Sequence, residues 1–222
     1  MTPRRIAIVA CGALAREIGA ILAMNGMDHV TLACLPATLH NRPERIPDAV
    51  RRAVRKARMA YDEVIVAYGD CGTGGTLDRV LEAEGVTRIE GPHCYSFLTG
   101  NELFAGRAEA DMRAFFLTDF LARQFDALVV RPLGLDRHPE LLPIYFAGYE
   151  KVVYLAQTSD PRLDARAEAA AARLGLAYER RDAGYGELGT FVAGLGRTTD
   201  TGTTGVEDEA AWTSQDVAEL VH

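Results

Sequence analysis

Short apolar runs alternate with helical stretches through the first 95 residues, and this alternation limits the possible folds more than any other feature of the chain. Residues 5–10, 29–35, 63–67 and 87–90 read as strands. The run Val64-Ile65-Val66-Ala67 is apolar at consecutive positions, the pattern of a strand covered on both faces. Between them, residues 14–24, 47–60 and 77–83 carry helical periodicity, with Leu14, Ile18, Ile21 and Leu22 on one face of the first. Asn25-Gly26 and Gly85 mark helix ends, and Pro47 suits a first turn. Strand–helix repetition of this kind calls for parallel strands joined by right-handed crossovers. The expected fold class is therefore α/β: a three-layer, Rossmann-like arrangement of a mainly parallel sheet with helices on both faces.

The rest of the chain is less regular. Residues 96–110 read as helical but hold Gly100 and Gly106, and 115–117 fit either a strand or the start of a helix. Thr118 suits the cap of a helix over 119–130. A helix over 140–149, a strand over 151–156, an alanine-rich helix over 163–174 stopped by Gly175, a strand over 176–180 and a helix over 187–195 follow. The expectation is one α/β domain over 1–196, divisible into two β-α halves at about 1–95 and 112–196. A linker and an acidic tail occupy 197–222.

A chain of 222 residues, 48% hydrophobic and 25% charged, can bury a sufficient core without disulfides. Its formal charge of −7 excludes a general nucleic-acid binder. The basic run 51–58 lies on a helix and reads as a solvated face. No run reaches the roughly 18 apolar residues of a membrane span. The apolar run at 6–10 is too short for a signal-peptide core, so a cytoplasmic location is expected. In that compartment the four cysteines are thiols rather than structural disulfides.

Those thiols sit at strand ends. Cys11 closes the first strand and Cys34 the second, with His40 in the loop after it. Asp70 and Cys71 follow the third, and His93 and Cys94 the fourth. Parallel strands bring their C-terminal ends to one edge, where open α/β sheets bind ligands. Cys34 reads as a packing residue. Cys71, His93 and Cys94, bordered or completed by His40 and Cys11, form a soft-donor set suited to a transition metal ion, zinc or iron, or to a metal-containing cofactor. The spacing matches no zinc motif, so a metal-free thiol enzyme stays open as the alternative. Cys71 is then the nucleophile, His93 the base, and Asp70 orients the imidazole or acts as a base. Gly69, Gly72, Gly74 and Gly75 leave backbone amides at a helix start for an anionic part of a ligand, and Tyr68 walls the pocket. Neither GxxxxGK[ST] nor GxGxxG is present, so nucleotide binding is not indicated. Glu17 reads as a solvated helix residue, Asp119 as a helix cap and His138 as part of a surface turn.

The combination Ala10-Cys11-Gly12 with Glu17, Leu39-His40-Asn41-Arg42-Pro43, Tyr68-Gly69-Asp70-Cys71-Gly72 and His93-Cys94 resembles a bacterial and archaeal family of unknown function, over about residues 5–195. Genes of that family often sit beside trimethylamine-type methyltransferases and corrinoid-binding proteins. The resemblance thus implies a role around corrinoid-dependent methyl transfer, with a corrinoid as a further cofactor and a methyltransferase or corrinoid protein as partner. It carries over to Cys11, His40, Asp70, Cys71, His93 and Cys94. A small-molecule or cofactor ligand and a homo-oligomer complete the expected partners. Nucleic acid and membrane are excluded, and a non-catalytic partner of a methyltransferase is the remaining alternative.

Overall fold

A computed structural model describes residues 4–195 of the chain. The expected linker and tail at 197–222 lie outside the described residues. Backbone contacts divide the described chain into two units: residues 4–97 with 187–195, and Leu98–Gly186.

In the first unit, β1 (Ile6–Cys11) is the central strand and all six of its residues are buried. β2 (Val30–Leu35) pairs on one side and β3 (Glu63–Ala67) on the other, both parallel to it, giving the order β2-β1-β3. The crossovers hold α1 (Ala15–Met24) and α2 (Ile46–Ala57), and α3 (Thr76–Glu84) follows β3. Helix α2 buries Ile46, Ala49, Val50, Ala53 and Val54 against Val9, Leu35, Val66, Leu77 and Leu81. That spacing of three and four residues makes one apolar stripe. Its basic residues lie off the stripe, and Arg51, Arg55 and Arg58 all pair with Glu84.

The strand expected over 87–90 is a single bridge, Val66↔Arg88, with Ile89 N donating to the Val66 carbonyl at 3.1 Å. Gly91-Pro92 ends the pairing there, since proline has no amide to donate. The bridge still lays the 93–94 corner beside the end of β3.

In the second unit, β5 (Lys151–Ala156) is central, flanked by β4 (Ala114–Thr118) and β6 (Ala177–Asp182), again all parallel. Residues 115–117 are thus strand. The helix expected over 96–110 is two, α4 (Cys94–Thr99) and α5 (Asn101–Gly106), separated at Gly100 with φ 93°, outside helical geometry. Thr118 caps α6 (Asp119–Phe125) by accepting from Leu121 N at 3.3 Å. Helical dihedrals fail at Gln124, and Asp126–Val130 continues as a π-turn. The helix over 140–149 shortens to α7 (Leu142–Phe146). Then comes α8 (Pro161–Leu174), started by Asp160 and closed by left-handed Gly175; α9 (Gly186–Leu195) belongs from Glu187 to the first unit. Two parallel three-stranded sheets flanked by helices make this a three-layer α/β fold. No described helix is long and apolar enough to cross a membrane.

Two polar networks hold the second sheet. Asp119 is fully buried and does more than cap α6. Its carboxylate accepts from Tyr154 Oη at 2.7 Å, Gln157 N at 3.0 Å and Thr158 Oγ1 at 2.5 Å, tying the C-terminal ends of β4 and β5 together. Near the start of β4, buried Asp111 accepts a fork from Arg181 at 2.6 and 2.7 Å and pairs with Lys151 at 3.0 Å. Glu179 pairs with the same two cations, Arg181 at 2.6 Å and Lys151 at 2.8 Å.

Bonding to Arg181 is the largest influence and holds both carboxyls below their ordinary range; burial pushes up against it, and bonding to Lys151 adds a smaller lowering. Their contribution is therefore complete above about pH 4.5 and is lost as pH falls through the depressed values. Asp111→Asn is expected to cost about 1–3 kcal/mol at neutral pH, the buried-pair figure discounted for a partly exposed network. The loss of stability between about pH 5 and pH 2 shrinks in the variant. Urea denaturation of both proteins across that range measures it, and an unchanged acid limb refutes the role given to Asp111.

Candidate functional site

The site is assembled at the C-terminal edge of the first sheet, where β3 runs into the glycine corner. At Gly69 a Cβ would stand 2.5 Å from His93 Cα and 3.0 Å from His93 N. Real side chains do not tolerate that approach, so a residue without Cβ is required. From there the two corners are joined by backbone bonds, Asp70 N to the Gly91 carbonyl at 3.4 Å and Cys71 N to the Pro92 carbonyl at 2.9 Å. Arg88 braces the second corner: Nη1 donates to the carbonyls of Ile89 at 2.9 Å and Gly91 at 3.0 Å, while Nε and Nη2 grip Asp78.

Cys71 has φ 49° and is the one non-glycine residue with positive φ among those described. A left-handed backbone is costly for a side chain with Cβ, and such strain concentrates at functional positions. Asp70 turns back into its own loop, accepting from Thr73 Oγ1 at 2.5 Å, Gly75 N at 2.8 Å and Gly74 N at 3.1 Å. Burial pushes this carboxyl up, but the bonds from Thr73, Gly75 and Gly74 and the nearby Arg88 charge hold it below its ordinary range overall. The amides of Gly74 and Gly75 thus serve a carboxylate of the chain itself.

Cys11 and His40 meet beside Tyr68, and Cys71 and Cys94 lie within electrostatic reach of it. Cys11 is 2% exposed at the end of β1, and its thiol accepts from Ala13 N at 3.4 Å. Its Sγ stands 3.8 Å from His40 Nδ1, which also lies 3.1 Å from the Ala37 carbonyl. Burial pushes the Cys11 thiol up to about 11. Desolvation draws His40 down, yet its hydrogen bond to Cys71, the charge there and the Ala37 carbonyl raise it overall. Burial lifts Cys94 well above the ordinary thiol range, with Cys71, Cys11 and Glu17 adding to the lift. Tyr68 is fully buried, its ring stacked on His40 at 6.1 Å and 14° between planes. Cys34, on β2, is pushed up to about 12 by burial and by Cys11.

An imidazole beside Cys71 is that of His40. His93 contributes through its backbone: it is the surface against Gly69, and its carbonyl accepts from Ser96 Oγ at 2.7 Å. Its ring meets Tyr95 edge-on at 5.0 Å, and burial lowers its pKa. Glu17 corrects the sequence reading: it is 4% exposed rather than solvated, and its charge acts on Cys94. The signal was present in its spacing, since 17 and 21 stand four apart on the buried face of α1. His138 is exposed, with Nδ1 3.2 Å from Glu140. Among the described residues, no group of three or more His, Cys, Asp or Glu side chains is placed so that it could hold a metal ion.

The chain belongs to a family described as protein of unknown function (DUF1638), whose model matches residues 34–192. That span includes His40, Tyr68, the glycine corner, His93 and Cys94, while Cys11 precedes it. No curated protein and no solved structure matches the chain.

Gly69→Ala is expected to destabilise the protein by about 1–3 kcal/mol, the usual range for overpacking. It also moves the 93–94 corner, so Cys94 is alkylated faster while Cys34 is unaffected. Thermal denaturation with alkylation mapping by mass spectrometry checks both, and an unshifted melting point with wild-type Cys94 reactivity refutes the contact.

Proposed function

We propose that Cys11, His40, Cys71 and Cys94 bind a transition metal ion, zinc or iron, and that the protein serves corrinoid-dependent methyl-transfer metabolism through this site. The observation that supports the reading is the approach of the Cys11 sulfur and the His40 imidazole, 3.8 Å apart beside Tyr68, with Cys71 and Cys94 within electrostatic reach. Thiolate and imidazole are the donors that zinc and iron take from proteins. Burial supplies the second argument. Cys11 and Cys94 hold their protons at neutral pH, and a coordinating cation displaces such protons outright. Among the described residues no three such donors are placed to hold an ion as they stand, so on this reading binding includes side-chain rearrangement as the thiol protons leave. A bound ion supplies a Lewis-acid centre. The residues of the chain hold it, exclude water through Tyr68 and the buried thiols, and fix the sulfurs on two strand ends. The methyl-transfer association comes from the family resemblance; a corrinoid enters as the cofactor implied there.

The test is elemental mass spectrometry on untagged full-length protein purified without chelator, beside the Cys71→Ser/Cys94→Ser double variant. Near-stoichiometric metal in the wild type and little in the variant are expected, and a corrinoid would announce itself by visible absorbance. Equal metal in both proteins sinks the assignment. Because the thiols begin protonated, zinc affinity is expected to rise with pH, by about tenfold per unit for each proton released. A flat profile between about pH 6 and 8 would count against thiol ligands.

One observation favours a second reading, a thiol enzyme without metal: Cys71 sits on a strained backbone and is hydrogen-bonded to His40. In that case Cys71 is the nucleophile and His40 its base. Metal-free protein whose Cys71 alkylates rapidly, and slowly after His40→Asn, distinguishes it.

A further inference from the structure

We propose that the second unit carries a binding site of its own, a cavity that takes a short aliphatic carboxylate. The cavity, about 90 Å³, is lined by Leu103, Phe104 and Arg107 from α5 and its end, and by Phe116, Leu155 and Arg181 from the second sheet. All of them fall within Leu98–Gly186. The strand registers pair Phe116 with Val153 and Leu155 with Arg181. Side chains alternate between the faces of a sheet, so these residues share one face, and Leu117, Val152 and Tyr154 pack with α6 and α8 on the other. The rings of Phe104 and Phe116 meet at 5.5 Å, and with Leu155 they make the body of the cavity apolar. Leu155 and the end of β6 set it toward the C-terminal ends of the strands, where α/β sheets bind ligands.

The group that selects the ligand is Arg107. Two carboxylates, Asp111 and Glu179, are shared by three cations, Lys151, Arg181 and Arg107. Lys151 and Arg181 hold them at 2.6–3.0 Å. Arg107 stands off at 3.3 and 3.5 Å, and at 43% its side chain is the most exposed of the three. The cluster thus has one positive charge in excess, and its least engaged cation lines the cavity. Asp182 does not cancel that charge. It lies on the opposite face of β6 from Arg181, and its carboxylate is bound to Arg180 at 2.7 Å. One further carboxylate balances the cluster, and a guanidinium offers it a charge-assisted, two-pronged contact. The aromatic and aliphatic walls call for an apolar body on the same molecule. The cavity is smaller than the roughly 150 Å³ that accepts a benzene ring, so that body is a short aliphatic chain.

The experiment is an NMR titration of the full-length protein with isobutyrate, beside its uncharged isostere isobutyramide and inorganic sulfate. Expected is saturable binding of isobutyrate, with amide shifts centred on residues 99–107 and 181–183. Isobutyramide is expected to bind more weakly by about 10-fold or more, the worth of a charge-assisted contact. Arg107→Gln is expected to weaken isobutyrate by about the same factor. Its melting point stays near that of wild type, because Arg181 and Lys151 still hold both carboxylates. Absence of saturable binding, shifts centred elsewhere, or equal affinity for acid and amide each overturns the proposal. Sulfate binding as tightly as isobutyrate also overturns it, since the cavity then reads charge alone. Should Arg107→Gln fail to fold, the comparison of acid, amide and sulfate in the wild type decides by itself.

Discussion

The contact of Gly69 with the backbone of His93 is what the site depends on. Two chain segments meet there at a distance no Cβ would permit, and everything past the end of β3 takes its place from that meeting. The amides of Asp70 and Cys71 find acceptors in Gly91 and Pro92, so the two corners behave as one piece. Arg88 stiffens this piece from beneath by satisfying carbonyls of the second corner while its charge is met by Asp78. Cys71 is left on a left-handed backbone beside His40, and Cys94 opens the helix that starts next to it.

Within this frame the glycine corner and the thiols divide the electrostatic work. Asp70 fills the amide-lined turn with the chain's own carboxylate, so the negative charge that a helix start attracts is already supplied there. The sulfurs lie in the drier part of the edge, among Tyr68, Glu17 and the core around β1. Burial raises the Cys11 and Cys94 thiols and makes them poor nucleophiles by themselves, but it does not weaken them as ligands to a cation that takes their protons.

The second unit uses its strand edge differently. Asp119 occupies the corresponding place at the end of β4, fully buried, and its acceptors are filled by Tyr154, Gln157 and Thr158. Asp111 and Glu179 share Arg181 and Lys151 across the start of the sheet. These are satisfied networks whose work is to fix strand positions. Similar strand–helix units thus carry chemistry-bearing residues at one edge and structural polar pins at the other.

The sequence by itself determined the α/β class, the parallel pairing and the placement of Cys11, Cys71 and Cys94 at one sheet edge. Apolar runs bounded by glycine corners leave few other arrangements. The end of α3 at Gly85, the cap at Thr118 and the strand over 151–156 were legible for the same local reason. Only the tertiary structure decided that the His40 imidazole reaches Cys71, because that turns on how the loop after β2 folds toward the end of β3. It also decided that the strand over 87–90 is one bridge, because that depends on where Gly91-Pro92 must turn to reach Gly69. Nor could spacing alone reveal that Asp70 binds its own loop or that Glu17 is buried beside Cys94. Those outcomes follow from contacts between segments distant in sequence, and local propensity carries no information about such contacts.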